Sequence, residues 1–125
     1  MKEFDVYVQN RPGELAKVCE LLGKQGVNIR AIASERGGEK ALIRVVTDDE
    51  VTTKSTLSRH GITFEQRDVV SVRMLDRPGE LGKMAQKLAR GMVNVDAVYI
   101  LGKDGGTTEI AFTVDNPKKA NVLLK

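Results

Sequence analysis

Two six-residue segments carry the residue types best suited to hold a small charged ligand. They are Asn10-Arg11-Pro12-Gly13-Glu14-Leu15 and Asp76-Arg77-Pro78-Gly79-Glu80-Leu81, 66 positions apart in a chain of 125 residues. In each, a polar residue opens a turn, proline restricts φ, and glycine lets a backbone or a ligand approach closely. A helix starting there presents unpaired N–H groups, which favour an anion such as the α-carboxylate of a free amino acid. Eighteen residues after each opener stand Asn28 and Asn94. Both are expected at the start of a strand beside the same turn, where an amide suits an ammonium group. Plainer roles compete at every position. Asn and Asp are favoured helix caps, and Asn tolerates the left-handed angles of a turn. Arg11 and Arg77 are as readily solvated as paired with a carboxylate, and Glu14 and Glu80 complement a helix dipole.

The elements that must position these residues are legible because the match extends beyond the motif. Lys17 returns as Lys83, Leu22 as Leu88, Val27 as Val93 and Asn28 as Asn94; Ile43, Val45 and Asp48 return as Ile110, Phe112 and Asp115 at an offset of 67. The chain is a duplicated unit. Phe4, Val6 and Val8 alternate with Asp5, Tyr7 and Gln9, which predicts a strand with one buried face. Leu15, Val18, Cys19 and Leu22 have helical spacing, repeated by Leu81, Met84, Ala85 and Leu88. Pro12 and Pro78 are expected to begin these helices, and Gly26 and Gly91 to end them. Strands follow over Val27 to Ser34 and Ala41 to Thr47, joined at Gly37-Gly38, and over Val93 to Leu101 and Thr108 to Val114, joined at Asp104-Gly105-Gly106. Asp49 to Arg59 reads as a polar helix and Ile62 to Glu65 as a fourth strand.

The expected fold class is therefore α+β: two ferredoxin-like βαββαβ units with antiparallel sheets and helices on one face. The domains span residues 1–68 and 69–125. The second runs through a helix near Pro117 and lacks its last strand, and residues 62–72 are expected to form one long extended segment. An open sheet edge predicts homo-oligomerisation.

The succession of strand, Asn/Asp-Arg-Pro-Gly-Glu-Leu, amphipathic helix and then Gly26-Val27-Asn28-Ile29 or Met92-Val93-Asn94-Val95 resembles the ACT domain family, in two tandem copies covering almost the whole chain. The resemblance implies a four-stranded antiparallel sheet backed by two helices. It also implies a regulatory module that senses amino acids at the seam of paired domains. By it, Asn10 and Asp76 match the residue opening the ligand loop, Gly13 and Gly79 its glycine, and Leu15 and Leu81 the next apolar position. Asn28 and Asn94 match the second-strand asparagine that reaches the ligand from the paired domain. Val8 and Met74 stand where some amino-acid-binding members carry a polar side chain. The Asn10 site is expected to suit a zwitterion better than the Asp76 site, which is expected to be weaker, differently selective or structural.

Composition narrows the function. Twenty basic and 17 acidic residues are interleaved along the chain, with aromatics at 4% and no Trp, which gives nucleic acid neither a basic tract nor stacking platforms. An RNA-binding βαββαβ module remains a minor alternative, with Tyr7 on strand 1 but no aromatic on strand 3. One cysteine and one histidine supply no disulfide and no zinc site. Cys19 reads as a small buried hydrophobe and His60 as a residue of a helix C-terminus, so neither supports a small enzyme. The glycine pairs suit hairpins rather than phosphate loops, and no cofactor motif is present. No apolar stretch is long enough to span a bilayer, so a cytoplasmic location is expected. The reading is a non-catalytic regulatory protein that binds a free amino acid and modulates an enzyme or transporter, probed against a ligand-free architectural dimerisation module.

Overall fold

Alternation in the first strand sends Phe4 and Val6 to the face that receives the helices. There they meet Val18 and Leu22 of one helix and Leu57 of another, together with Val27, Ile43 and Val45. This core belongs to the first of two units in a computed structural model that describes residues 1–125. The units comprise Lys2–Arg67 and, with Met1, Asp68–Lys125. The first runs β1 (Lys2–Gln9), α1 (Glu14–Lys24), β2 (Ile29–Gly37), β3 (Lys40–Thr47), α2 (Glu50–Arg59) and β4 (Thr63–Asp68). Its sheet order is β2-β3-β1-β4. β3 pairs antiparallel with both neighbours, setting Val45 opposite Phe4 on one side and Ile32 on the other.

The second unit runs β5 (Val70–Leu75), α3 (Glu80–Arg90), β6 (Val95–Asp104), β7 (Thr107–Val114) and α4 (Pro117–Leu123). Its three strands lie in the order β5-β7-β6, so the position that β4 fills beside β1 has no counterpart beside β5. Leu88, Ala120 and Leu124 pack on Val70, Met74, Ile110 and Phe112. Bulk has changed strands between the copies: Phe4 of β1 packs against Phe64 of β4, ring centroids 5.9 Å apart and planes tilted by 52°. In the second core the buried phenylalanine is Phe112 of β7. Residues 62–72 are not one strand. The chain breaks at Val69 because Thr63–Asp68 belongs to the first sheet and Val70–Leu75 to the second.

The prolines do not begin the helices. Glu14 and Glu80 do, each behind a glycine N-cap with φ near 90°. Arg11-Pro12-Gly13-Glu14 has the closing contact of a β-turn, Glu14 N–H to the Arg11 carbonyl at 3.5 Å. A positive φ at the third position is the type II pattern, which places proline at the second position rather than inside a helix. The helix ends also differ. Gly26 takes the left-handed φ of 73° after α1, whereas after α3 that role falls to Met92 at φ 60°, and Gly91 stays right-handed. Left-handed backbone costs an L-residue about 1–2 kcal/mol, offset by the extra unfolded-state entropy of glycine, about 0.5–1 kcal/mol. Met92→Gly is therefore expected to raise stability by about 0.5–1 kcal/mol, read as a higher melting temperature. Met92 is 86% exposed, so no packing is lost.

The first strand has two buried faces at its start, not one. Glu3 and Asp5 are as buried as Phe4 and Val6, on the face away from the helices. Arg44, directly opposite Asp5 in the ladder, lies 3.8 Å from Glu3 and 2.7 Å from Glu35. Alternation alone marks such positions as polar and solvated. Leu15 and Leu81 depart from the helical stripe in the opposite sense, at 47% and 44% exposure.

Candidate functional site

The two loops that open the helices are built alike and wired differently. In the first, the Asn10 N–H donates to the Glu39 carbonyl at 2.8 Å, and its Nδ2 donates to the Gly38 carbonyl at 3.2 Å. Asn10 is thus tied to the β2–β3 hairpin and does not cap α1. No side chain caps α1 or α3. The amide of Asn10 turns its NH2 to the hairpin and leaves Oδ1 as an acceptor, the polarity an ammonium group requires. Arg11 is 67% exposed and meets Glu14 only at 3.7 Å.

In the second loop every charge is engaged within the unit. Lys103 Nζ donates to Asp76 Oδ2 at 3.2 Å, while Arg77 Nε and Lys83 Nζ converge on Glu80 Oε1 at 2.7 and 3.2 Å. These two hydrogen bonds, Arg77 first, hold the Glu80 carboxyl below its ordinary value of 4.5. A carboxylate depressed by folding stabilises fully above its unfolded value and loses that contribution as pH falls through the lower, folded one. Glu80→Gln is therefore expected to lower the melting temperature at neutral pH. Its difference from the parent protein is expected to vanish as pH falls well below 4.5, which a series of melting curves checks.

Asp76, Arg77, Glu80 and Leu81 line one cavity of about 160 Å³ with Ile100 and Lys103. Within the chain the need for Gly13 and Gly79 is conformational, since a side chain at either would meet no protein atom within 4 Å but would carry a positive φ. A cavity of about 350 Å³ on the side of α2 and β4 is lined by Glu14, the residue that follows the first loop's glycine.

Asn28 and Asn94 are not beside the loops of their own units. The Asn28 N–H donates to Asp48 Oδ1 at 2.9 Å, and the Asp48 N–H returns to the Asn28 carbonyl at 3.1 Å. Asn94 and Asp115 repeat this at 3.0 and 3.1 Å. Asp48 follows the last residue of β3, whereas Asn10 is bonded to Glu39 just before its first. A strand rising about 3.4 Å per residue separates the two asparagines by roughly 24 Å. The crossover through α1 returns the chain to the far end of the sheet, so one unit alone cannot bring Asn10 and Asn28 to one ligand. The partners Asp48 and Asp115 went unassigned from sequence, although their recurrence at the repeat offset was the available signal. Lys103 had no such signal, because its contact with Asp76 depends on the hairpin's reach.

No helix is long and apolar enough to cross a membrane. Residues 3–61 match the ACT domain. No curated protein matches the chain in sequence. Among solved structures, a protein from Bacteroides thetaiotaomicron is similar over 98% of this chain and 85% of that one, at a TM-score of 0.90 and 21% identity. The ligand-free regulatory subunit of aspartate kinase from Thermus thermophilus is similar at 0.69 and 18%, covering 98% and 86%. A structure of aspartokinase alpha and beta subunits is similar at 0.70 and 16%, covering 98% and 88%. At these identities the likeness is one of fold. The match to the ACT domain thus covers the first unit from residue 3 to residue 61, and the second unit repeats that unit's loop, its helices and three of its four strands.

Proposed function

We propose that this chain is a non-catalytic, cytoplasmic regulatory protein that binds a free amino acid where two ACT units meet and passes that binding to a partner enzyme or transporter. One observation carries the reading: the first loop leaves a hydrogen-bond acceptor at Asn10, an exposed Arg11 and an uncapped helix N-terminus together. That set complements both ends of a zwitterion. Asn28 would complete the site from another unit, since its own lies at the opposite end of the sheet. The second loop, with Asp76 and Glu80 already paired, would bind more weakly or serve structure. Ligand held between units would shift the population of paired arrangements, and a partner reads that shift. The edge position of β5 favours assembly into a homodimer or larger homo-oligomer.

A thermal-shift screen of the full chain against the twenty amino acids tests this. Binding at 100 times Kd adds about 2.7 kcal/mol, so a selective stabilisation is expected from one or a few of them. Asn10→Ala is expected to weaken it by about tenfold or more, as for a hydrogen bond to a charged group, and Asp76→Ala by much less. Equal losses would contradict the assignment of the first loop. No shift from any amino acid would leave the architectural module.

A further inference from the structure

The first unit holds a cavity built in part from the α2–β4 connection, an element with no counterpart in the second unit's three-stranded sheet. It measures about 350 Å³ and opens between the end of β1, the first turns of α1 and the connection from α2 to β4. That volume lies in the range of small-molecule sites. Val8, Val18 and Ile62 give it an apolar wall, and Lys17, Lys40 and His60 bring basic groups to its lining. Lys17 and Lys40 enter no ion pair. The duplication makes this informative. Lys83, the repeat of Lys17, is bound to Glu80 at 3.2 Å, while Glu14 in the first unit is met only by Arg11 at 3.7 Å. His60 Nδ1 lies 2.9 Å from the Thr56 carbonyl. A carbonyl only accepts, so that nitrogen carries the hydrogen and Nε2 remains for a ligand or a second proton.

We infer that this cavity is a second ligand site, distinct from the Asn10 loop, and that it takes a small organic anion: a carboxylate or phosphate monoester with a short apolar body. Two unpaired ammonium groups and an imidazole outnumber the single carboxylate, Glu14, that lines the cavity. Opposite charge fixes the anionic end, and the aliphatic wall accepts the rest. The site uses the α2–β4 connection, an element described in the first unit alone. This differs from the loop motif, which occurs twice.

Amide NMR of the full chain, titrated separately with inorganic phosphate, succinate and benzoate against chloride at equal ionic strength, tests the inference. At least one probe is expected to move the Lys17, Lys40, Gly61 and Ile62 amides saturably. Lys17→Gln combined with Lys40→Gln is expected to weaken that binding by about tenfold or more, with His60→Gln as a milder second variant. Both lysines are exposed, and an otherwise unchanged spectrum checks that the variant is folded. Preference for phosphate would mark a phosphate ester, and preference for succinate or benzoate a carboxylate. Three results would overturn the proposal: no saturation beyond chloride, undiminished binding in the lysine variant, or movement confined to Arg11 through Leu15, which would place the anion at the loop.

Discussion

Arg44→Met is expected to destabilise the first unit by about 3–5 kcal/mol, the loss seen when one partner of a buried charge cluster is removed. Glu3 is fully buried and Asp5 nearly so, and each carries a carboxylate oxygen that accepts no hydrogen bond. The guanidinium facing them across the β1–β3 ladder is a countercharge to both. Burial by itself would pull Arg44 down; the Glu35 hydrogen bond and charge, with the charges of Asp5 and Glu3, raise it above its ordinary value instead. Methionine keeps much of the aliphatic volume and deletes the charge, so the loss is electrostatic rather than a cavity. Chemical denaturation of the single variant and of Arg44→Met combined with Glu3→Gln and Asp5→Asn separates the two. The combined variant is expected to recover most of the loss, and an equal deficit in both would show that Arg44 acts through packing.

Phe4→Ala is expected to cost about 3–5 kcal/mol, the range for emptying an aromatic from a closed core. Phe4 is fully buried, lies against Phe64 and sits opposite Val45 in the central pair of strands. A unit of this size has about 3–10 kcal/mol of stability in total at ~0.05–0.15 kcal/mol per residue, so the substitution leaves the first unit marginal. Residue-resolved hydrogen exchange is expected to lose protection at Val6, Ile43 and Val45 well before Ile110 and Phe112. Val70→Ala, at the repeat position in the second core, removes fewer atoms and is expected to cost less than half as much. Similar losses from the two would mean that the cores do not depend on aromatic bulk as their side chains indicate.

The proposed amino-acid site and the proposed anion cavity differ in what they ask of the chain. The first uses residues that the duplication copied, and its two copies diverge through pairing: Asp76 with Lys103, Glu80 with Arg77 and Lys83. The second uses an element the second unit lacks, the turn into β4. The two loops thus differ in how their charges are paired, and the cavity belongs to the first unit.

Local chemistry was sufficient to announce the strands, helices and hairpins, because each element carries its own period. The 3.6-residue stripe ending in Val18 and Leu22 and the alternation of Phe4 and Val6 report burial whatever surrounds them. The ACT pattern was legible for the same reason: proline and glycine at a type II turn before an amphipathic helix constrain the backbone locally. Only the tertiary structure decided where Asn28 lies, since the end of a sheet to which a crossover returns is a matter of topology. Only it showed Glu3 and Asp5 buried, for alternation assigns a residue to a face without saying what covers that face. The left-handed Met92 was hidden because a methionine gives no local signal for positive φ. The cavity of Lys17, Lys40 and His60 joins residues from three separate segments, and no spacing along a chain reports a convergence that packing alone creates.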